Sequence, residues 1–249
     1  MTTHDIAVVL SNITGIPLAH IEENQTALQN DVMARIEKEI IGQHPAMTTI
    51  TQFVKRAMAG LTSPNRPLGS FLFLGPSGVG KTYTAMILAD VIFGGRENIF
   101  RVNMAEFSES FHISKLLGAP AGYVGYNEGV QFIEHVRRHP SSVIVFDEVE
   151  KAHADIFNVL LQILDDGRLT DAKGHEINFR NSILIFTSNL GAEHFTKQQT
   201  LGFDAPRDAS TQQNNPTQKN IHAMVHAEAR ETFPLEFFHR LHDVIMFQP

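Results

Sequence analysis

Five short apolar runs punctuate the chain from residue 70 onward: SFLFL at Ser70–Leu74, IFRVN at Ile99–Asn103, SVIVF at Ser142–Phe146, SILIF at Ser182–Phe186 and DVIMF at Asp243–Phe247. They are nearly continuous in apolar side chains rather than alternating, so each strand they predict is buried on both faces. Longer segments of helical periodicity separate them. That order predicts the α/β class, with a parallel five-stranded sheet and ligands at the carboxyl ends of its strands. Ahead of the first run, helices are predicted over residues 3–13 and 26–40, split by the turn TGIP (Thr14–Pro17). A third helical stretch follows IIGQ (Ile40–Gln43) and ends near Gly60, and SPNRPLG (Ser63–Gly69) is a loop by composition. Residues 204–220 are polar and almost free of large apolar side chains, which predicts a mobile loop.

The composition narrows the class. A chain of 249 residues with 43% apolar and 19% charged residues has enough material for a substantial core. Its net charge of −7 argues against a general nucleic-acid binder. With no cysteine, disulfides and thiolate metal sites are excluded. No apolar run approaches the ~18 residues of a membrane span. The start, MTTHDIAVV, lacks the basic and apolar regions of a secretory signal, so a cytoplasmic location is expected. Among the 13 histidines there is no HExxH, and His239 and His242 lack a carboxylate at zinc spacing.

The chemistry is concentrated at strand ends. GPSGVGKT, comprising Gly75, Pro76, Ser77, Gly78, Val79, Gly80, Lys81 and Thr82, follows the first apolar run and opens a helical segment. This is the phosphate-cradling loop of a P-loop NTPase, a three-layer sandwich. Its glycines let backbone N–H groups close on a phosphate, and the helix N-terminus adds positive potential. Lys81 supplies a full charge to the outer phosphates of ATP or ADP, and Thr82 a hydroxyl to Mg²⁺. After the third run, Asp147 can hold Mg²⁺, largely through water, while Glu148 can deprotonate an attacking water. TSN (Thr187–Asn189) ends the next run. Asn189 either positions that water, if its strand lies beside the P-loop strand, or belongs to a helix N-cap that Ser188 or Asn189 would serve.

With these motifs in order, GPSGVGKT, GAPAGYVGY, FDEVEKAH, LLQILDDGRLTD, INFRNSILIFTSNLG and PLEFFHRLHDVIMF, the chain resembles the second ATPase ring of the Clp unfoldases and disaggregases, an AAA+ group. The likeness runs from about residue 3 to residue 249. It implies a homohexameric ring that hydrolyses ATP and threads polypeptide through a central pore. On this likeness residues 1–39 are a helical lead-in and 40–249 the large nucleotide-binding subdomain, with a small helical subdomain absent from the chain. TGIP and IIGQ match the family's adenine-side segments, which assigns Ile16, Ile40 and Ile41 to the nucleotide. Gly122, Tyr123, Val124 and Gly125 match the pore loop, with Tyr123 gripping substrate. An aromatic between glycines suits that task, because it offers a large apolar face at little entropic cost. Arg240 matches the arginine finger, acting on the nucleotide of a neighbouring subunit.

The chain departs from the family pattern at His239 and His242, which replace an asparagine and an aspartate. It departs again at Ala121 and Val130, in place of proline and glycine. Leu201, Gly202 and Phe203 match the tripeptide by which ClpA- or ClpC-like members dock on the ClpP peptidase; packing against the sheet edge is the other reading. A ClpB-like disaggregase and a secretion-sheath-recycling ATPase are the alternatives within the family. A nucleotide-switched binding module is the alternative of another class, and an intact catalytic Glu148 favours the motor.

Overall fold

The computed structural model describes residues 5, 35–36, 38–40, 42–58, 60–61, 63–109, 112–118, 130–195 and 216–249. Helix α1 (His44–Met58) leads into β1 (Gly69–Leu74), α2 (Lys81–Phe93) and β2 (Ile99–Asn103). A 3-10 turn at Met104–Phe107 and the short α3 (Ile113–Leu117) follow, then α4 (Val130–Arg138) and β3 (Val143–Asp147). Next come a 3-10 turn at Val149–Lys151, α5 (Ala154–Asp166), the hairpin β4 (Arg168–Thr170) and β5 (Glu176–Asn178), and β6 (Ile183–Ser188). Helices α6 (Pro216–Thr232) and α7 (Leu235–Arg240) and strand β7 (Asp243–Met246) complete the described fold.

The five apolar runs form one parallel sheet of order β2-β3-β6-β1-β7. Side chains alternate across it, and both faces are covered. Leu72, Leu74, Ile144, Phe146, Leu184 and Phe186 enter one apolar layer, together with Leu160, Val225 and Phe237 from α5, α6 and α7. Phe71, Phe73, Val143, Val145, Ile183 and Ile185 enter the other, against Ile50 and Phe53 of α1 and Leu88 of α2. This double burial is why the runs are continuous rather than alternating. A fully buried Leu or Phe contributes about 1.5–3 kcal/mol, so the sheet centre dominates stability. Phe237 of α7 meets Phe186 edge-on at 4.9 Å and Phe157 of α5 at 5.3 Å, which seats α7 against both sheet and helix. Such pairs add about 0.5–1.5 kcal/mol beyond burial.

The polar stretch 204–220 is not all loop, because α6 already includes residues 216–220. The helix is nucleated further on, where Ile221, Val225 and Ala229 recur at four-residue spacing and are buried. Pro216 suits the first helical turn, where its missing N–H costs nothing. Composition alone hid this extension, since the residues that drive the helix lie beyond the polar run. Among the described residues no helix is long and apolar enough to cross a membrane.

Candidate active site

The strand order puts three functional loops side by side at the carboxyl edge of the sheet. β1 delivers the glycine-rich turn, β3 the acidic pair and β6, between them, Asn189. In the turn, Gly75, Gly78 and Gly80 have φ of 142°, 81° and 101°, values that side-chain-bearing residues rarely adopt. Gly80 precedes α2 without a side-chain cap, so the first N–H groups of the helix have no side-chain acceptor there. Those groups, the helix dipole and the lysine make a donor set that fits a phosphate chain.

Lys81 is 8% exposed. Its ammonium donates to Gly75 O at 2.5 Å, Pro76 O at 2.9 Å and Asn189 Oδ1 at 3.0 Å. Burial lowers its pKa, and the nearby Glu150, Asp147 and Glu148 oppose that shift. Thr82, half-buried, is the second residue of α2. Gln43 braces the turn from the IIGQ segment: its Nε2 donates to Val79 O at 3.4 Å and to Gln248 O at 2.7 Å. Gln248 N donates back to Gln43 Oε1 at 3.1 Å.

On the acidic side, Thr187 donates its hydroxyl to Asp147 Oδ1, and Arg101 Nη2 donates to Asp147 Oδ2 at 2.6 Å. Burial alone would raise the Asp147 pKa. The bonds from Thr187 and Arg101, with the charges of Arg101 and Lys81, outweigh it and hold the carboxyl below its ordinary value. Thr187 Oγ1 also accepts the Glu148 N–H at 3.2 Å. Glu148 Oε2 accepts from Lys151 at 2.7 Å, and Oε1 from Asn189 Nδ2 at 3.3 Å. The Asn189 backbone N–H reaches Glu150 Oε1 at 3.1 Å.

The strand condition for Asn189 is therefore met, since β6 pairs with β1. Its amide spans Lys81 and Glu148, and the capping contact at this turn comes from Ser188, whose Oγ accepts Leu190 N–H at 3.2 Å. Ile40 is buried in the layer it shares with α1 and α2. Arg240 is not brought to the turn of its own chain. Its carbonyl accepts from Ser70 Oγ at 3.4 Å, at the start of β1, whereas the glycine turn follows the strand's end. Ile16, Ile41, Gly122, Tyr123, Val124, Gly125, Leu201, Gly202 and Phe203 lie outside the described residues. Sequence reasoning missed Arg101, Lys151 and Gln43, and gave Thr187 no role. Arg101 was findable only with the register in hand: Asn103 pairs with Asp147, so Arg101 is its diagonal neighbour on the same face.

Residues 66–244 match the family described as AAA domain (Cdc48 subfamily). The chain is 44% identical over 247 residues to "Negative regulator of genetic competence ClpC/MecB" of Bacillus subtilis (strain 168), covering 99% of this chain and 30% of that protein. It is 45% identical over 247 residues to "ATP-dependent Clp protease ATP-binding subunit ClpC" of Staphylococcus aureus (strain USA300), with the same coverage of 99% and 30%. Among solved structures, the Saccharomyces cerevisiae Hsp104-ADP complex superposes with a TM-score of 0.79 at 37% identity, covering 98% of this chain and 40% of that one. The chain thus spans about 30% of the length of these curated relatives.

Proposed function

Because this chain belongs to the AAA domain family, as an ATPase domain of Clp type, we propose that it is the second-ring motor of a hexameric, cytoplasmic chaperone that unfolds polypeptide and passes it to a ClpP-type peptidase. The observation that carries the hydrolytic part is the hydrogen-bonded chain Lys81–Asn189–Glu148 across adjacent strand ends. It links the phosphate-binding charge to the general base through one amide.

Each residue has a distinct task. Lys81 exchanges its bonds to the Gly75 and Pro76 carbonyls for the outer phosphate oxygens, whose negative charge makes them stronger acceptors. Asp147 is ionised at neutral pH, and Thr187 and Arg101 favour that form against the effect of burial. Thr82 and, through water, Asp147 are the residues that would hold Mg²⁺, which neutralises charge on the phosphates. Glu148 takes a proton from the attacking water, and Asn189 keeps that water and the carboxylate in line. Arg240, remote from its own cradle, serves the phosphate of the adjacent subunit. Adenine contacts fall to Ile16, Ile40 and Ile41.

Substitution at both ends of the chain of bonds tests this. In the full-length ring Glu148→Gln is expected to bind ATP with the parent's affinity and to lose hydrolysis. Lys81→Ala is expected to lose binding. Equal turnover in Glu148→Gln and parent, or unchanged nucleotide affinity in Lys81→Ala by calorimetry, would remove these roles.

The polypeptide-handling part rests on the GYVG and LGF motifs. Tyr123→Ala is expected to keep basal ATPase activity and to stop unfolding of a tagged substrate. Gly202→Ser with Phe203→Ser is expected to keep both ATPase and unfolding while degradation with the cognate peptidase stops. Degradation that continues in the second variant would favour a disaggregase instead.

A further inference from the structure

Asp165 sits in the last turn of α5, where the helix dipole is negative and an acidic residue is disfavoured. No basic residue of that turn offsets it. Two guanidinium groups from other elements do. Arg240 Nε lies 2.9 Å from Asp165 Oδ1, and Arg66 Nη2 lies 3.6 Å from the same oxygen. Arg240 ends α7, and Arg66 belongs to the loop before β1.

The backbones behind the three side chains are held. Phe237 of α7 is fully buried between Phe157 and Phe186. The Arg66 loop packs on Gly167, directly after α5. A Cβ there would lie 3.0 Å from Asn65 O and 2.7 Å from Arg180 Cγ, and the residue has φ 61°. The geometry at Arg240 is specific. The nearest atom of Arg240 to Asp165 is the side nitrogen, Nε, in an ion pair, and among the described residues the terminal Nη pair of Arg240 donates no hydrogen bond. The Nη pair is the fork that meets a phosphate. The side chain of Arg240 is 39% exposed, which leaves that fork open to a neighbour. Arg66 balances Asp165, so the three charges sum to +1 and the finger keeps its net charge.

We propose that Asp165 is a positioning residue for Arg240: its carboxylate, paired with the Nε side of the guanidinium, holds the group in place by charge and leaves the fork aimed across the subunit boundary. The proposal rests on Arg240 acting on the neighbour's nucleotide. Asp165, at the C-terminal end of α5, is assigned no contact with the nucleotide or the attacking water. It acts only through Arg240, and its removal lets the guanidinium sample orientations that miss the phosphate.

The test is a double-mutant cycle in assembled full-length rings, with hexamer content checked by light scattering. Asp165→Ala is expected to lower kcat by about tenfold to a hundredfold, the scale of a misplaced group. ATP affinity in the same rings should stay at the parent's. Asp165→Asn, which keeps the shape of the side chain and removes its charge, is expected to retain most of that loss. In an Arg240→Ala background, Asp165→Ala is expected to add nothing. A second readout is trapping of fluorescent ADP by aluminium fluoride, a planar phosphoryl mimic. Asp165→Ala should weaken it, again with no effect once Arg240 is gone.

Parent-like kcat in Asp165→Ala, or an equal loss in the Arg240→Ala background, overturns the proposal, because a merely structural carboxylate would act with or without the arginine. If Arg240→Ala itself turns over like the parent, it is the finger reading that fails. Should Asp165→Ala not assemble, Asp165→Glu replaces it in the cycle. A several-fold loss confined to the Arg240 background is then expected, and no loss, or the same loss in both backgrounds, overturns the assignment.

Discussion

Glu148 adopts φ 57° and ψ 49°, the left-handed region, and it is the one non-glycine residue with positive φ among those described. A side chain there costs about 1–2 kcal/mol. Its N–H to Thr187 and its carboxylate contacts with Lys151 and Asn189 offset that cost. The unusual backbone turns the carboxylate back over the edge of the sheet, toward Asn189. Asn189 is thus the residue that Lys81 and Glu148 both hydrogen-bond, at 3.0 and 3.3 Å. Asn189→Ala is expected to lower hydrolysis by about 10²-fold, the loss seen when one positioned donor is removed, while nucleotide affinity changes little. Steady-state turnover and fluorescent-ADP titration of the full-length ring measure the two. Parent-like turnover would return Asn189 to a structural role.

The elements around the cradle leave no room for a side chain at Gly75. Gly75 follows β1 with φ 142°, and a Cβ there would lie 2.4 Å from Phe247 O, in the backbone just after β7. That backbone cannot rotate away like a flexible side chain. Phe247 N donates to Leu74 O at 2.8 Å, and Gln43 and Gln248 exchange two hydrogen bonds beside it. The floor of the cradle is therefore built by segments some two hundred residues apart. Gly75→Ala combines a disfavoured φ with this clash, and its expected cost is about 1–3 kcal/mol or more. The urea midpoint of the chain measures it, with an unchanged midpoint as the contrary result. Gly78→Ala is the informative partner, since a Cβ at Gly78 meets nothing within 4 Å and only its φ of 81° is strained.

Across the whole molecule, histidines set how stability responds to mild acid. Burial lowers the pKa of His135, His222 and His226 below the ordinary 6.5, with smaller contributions from His139, His226 and Arg230 respectively. Above that value these groups are neutral whether the chain is folded or unfolded. As pH falls below it the unfolded chain takes up protons first, so stability declines toward the lower folded values. Asp147 has a dependence of the same sign in a lower range: its contribution is present above about 3.8, the value from which it is lowered, and is lost at stronger acid. The melting temperature is expected to fall between pH 7.5 and 5.5, well before carboxylates titrate. Replacing the three histidines with glutamine should flatten that slope. A melting temperature that stays level across this range in the parent would contradict it.

Periodicity was enough for the sheet. A strand buried on both faces must be apolar at consecutive positions, and five such runs with helical spacers admit few arrangements besides a parallel α/β sheet. The phosphate cradle was equally readable, because Gly75 to Thr82 are contiguous and their chemistry is local. Strand order is a different kind of fact. That β6 lies between β1 and β3 is what joins Asn189 to Lys81 and Glu148, and that β2 flanks β3 in register is what brings Arg101 to Asp147. The ion pair of Asp165 with Arg240 likewise depends on α7 packing against α5. Contacts of this kind join residues tens to hundreds of positions apart. Local sequence carries no record of such pairings, since register and helix docking are decided only when both apolar layers close on the sheet.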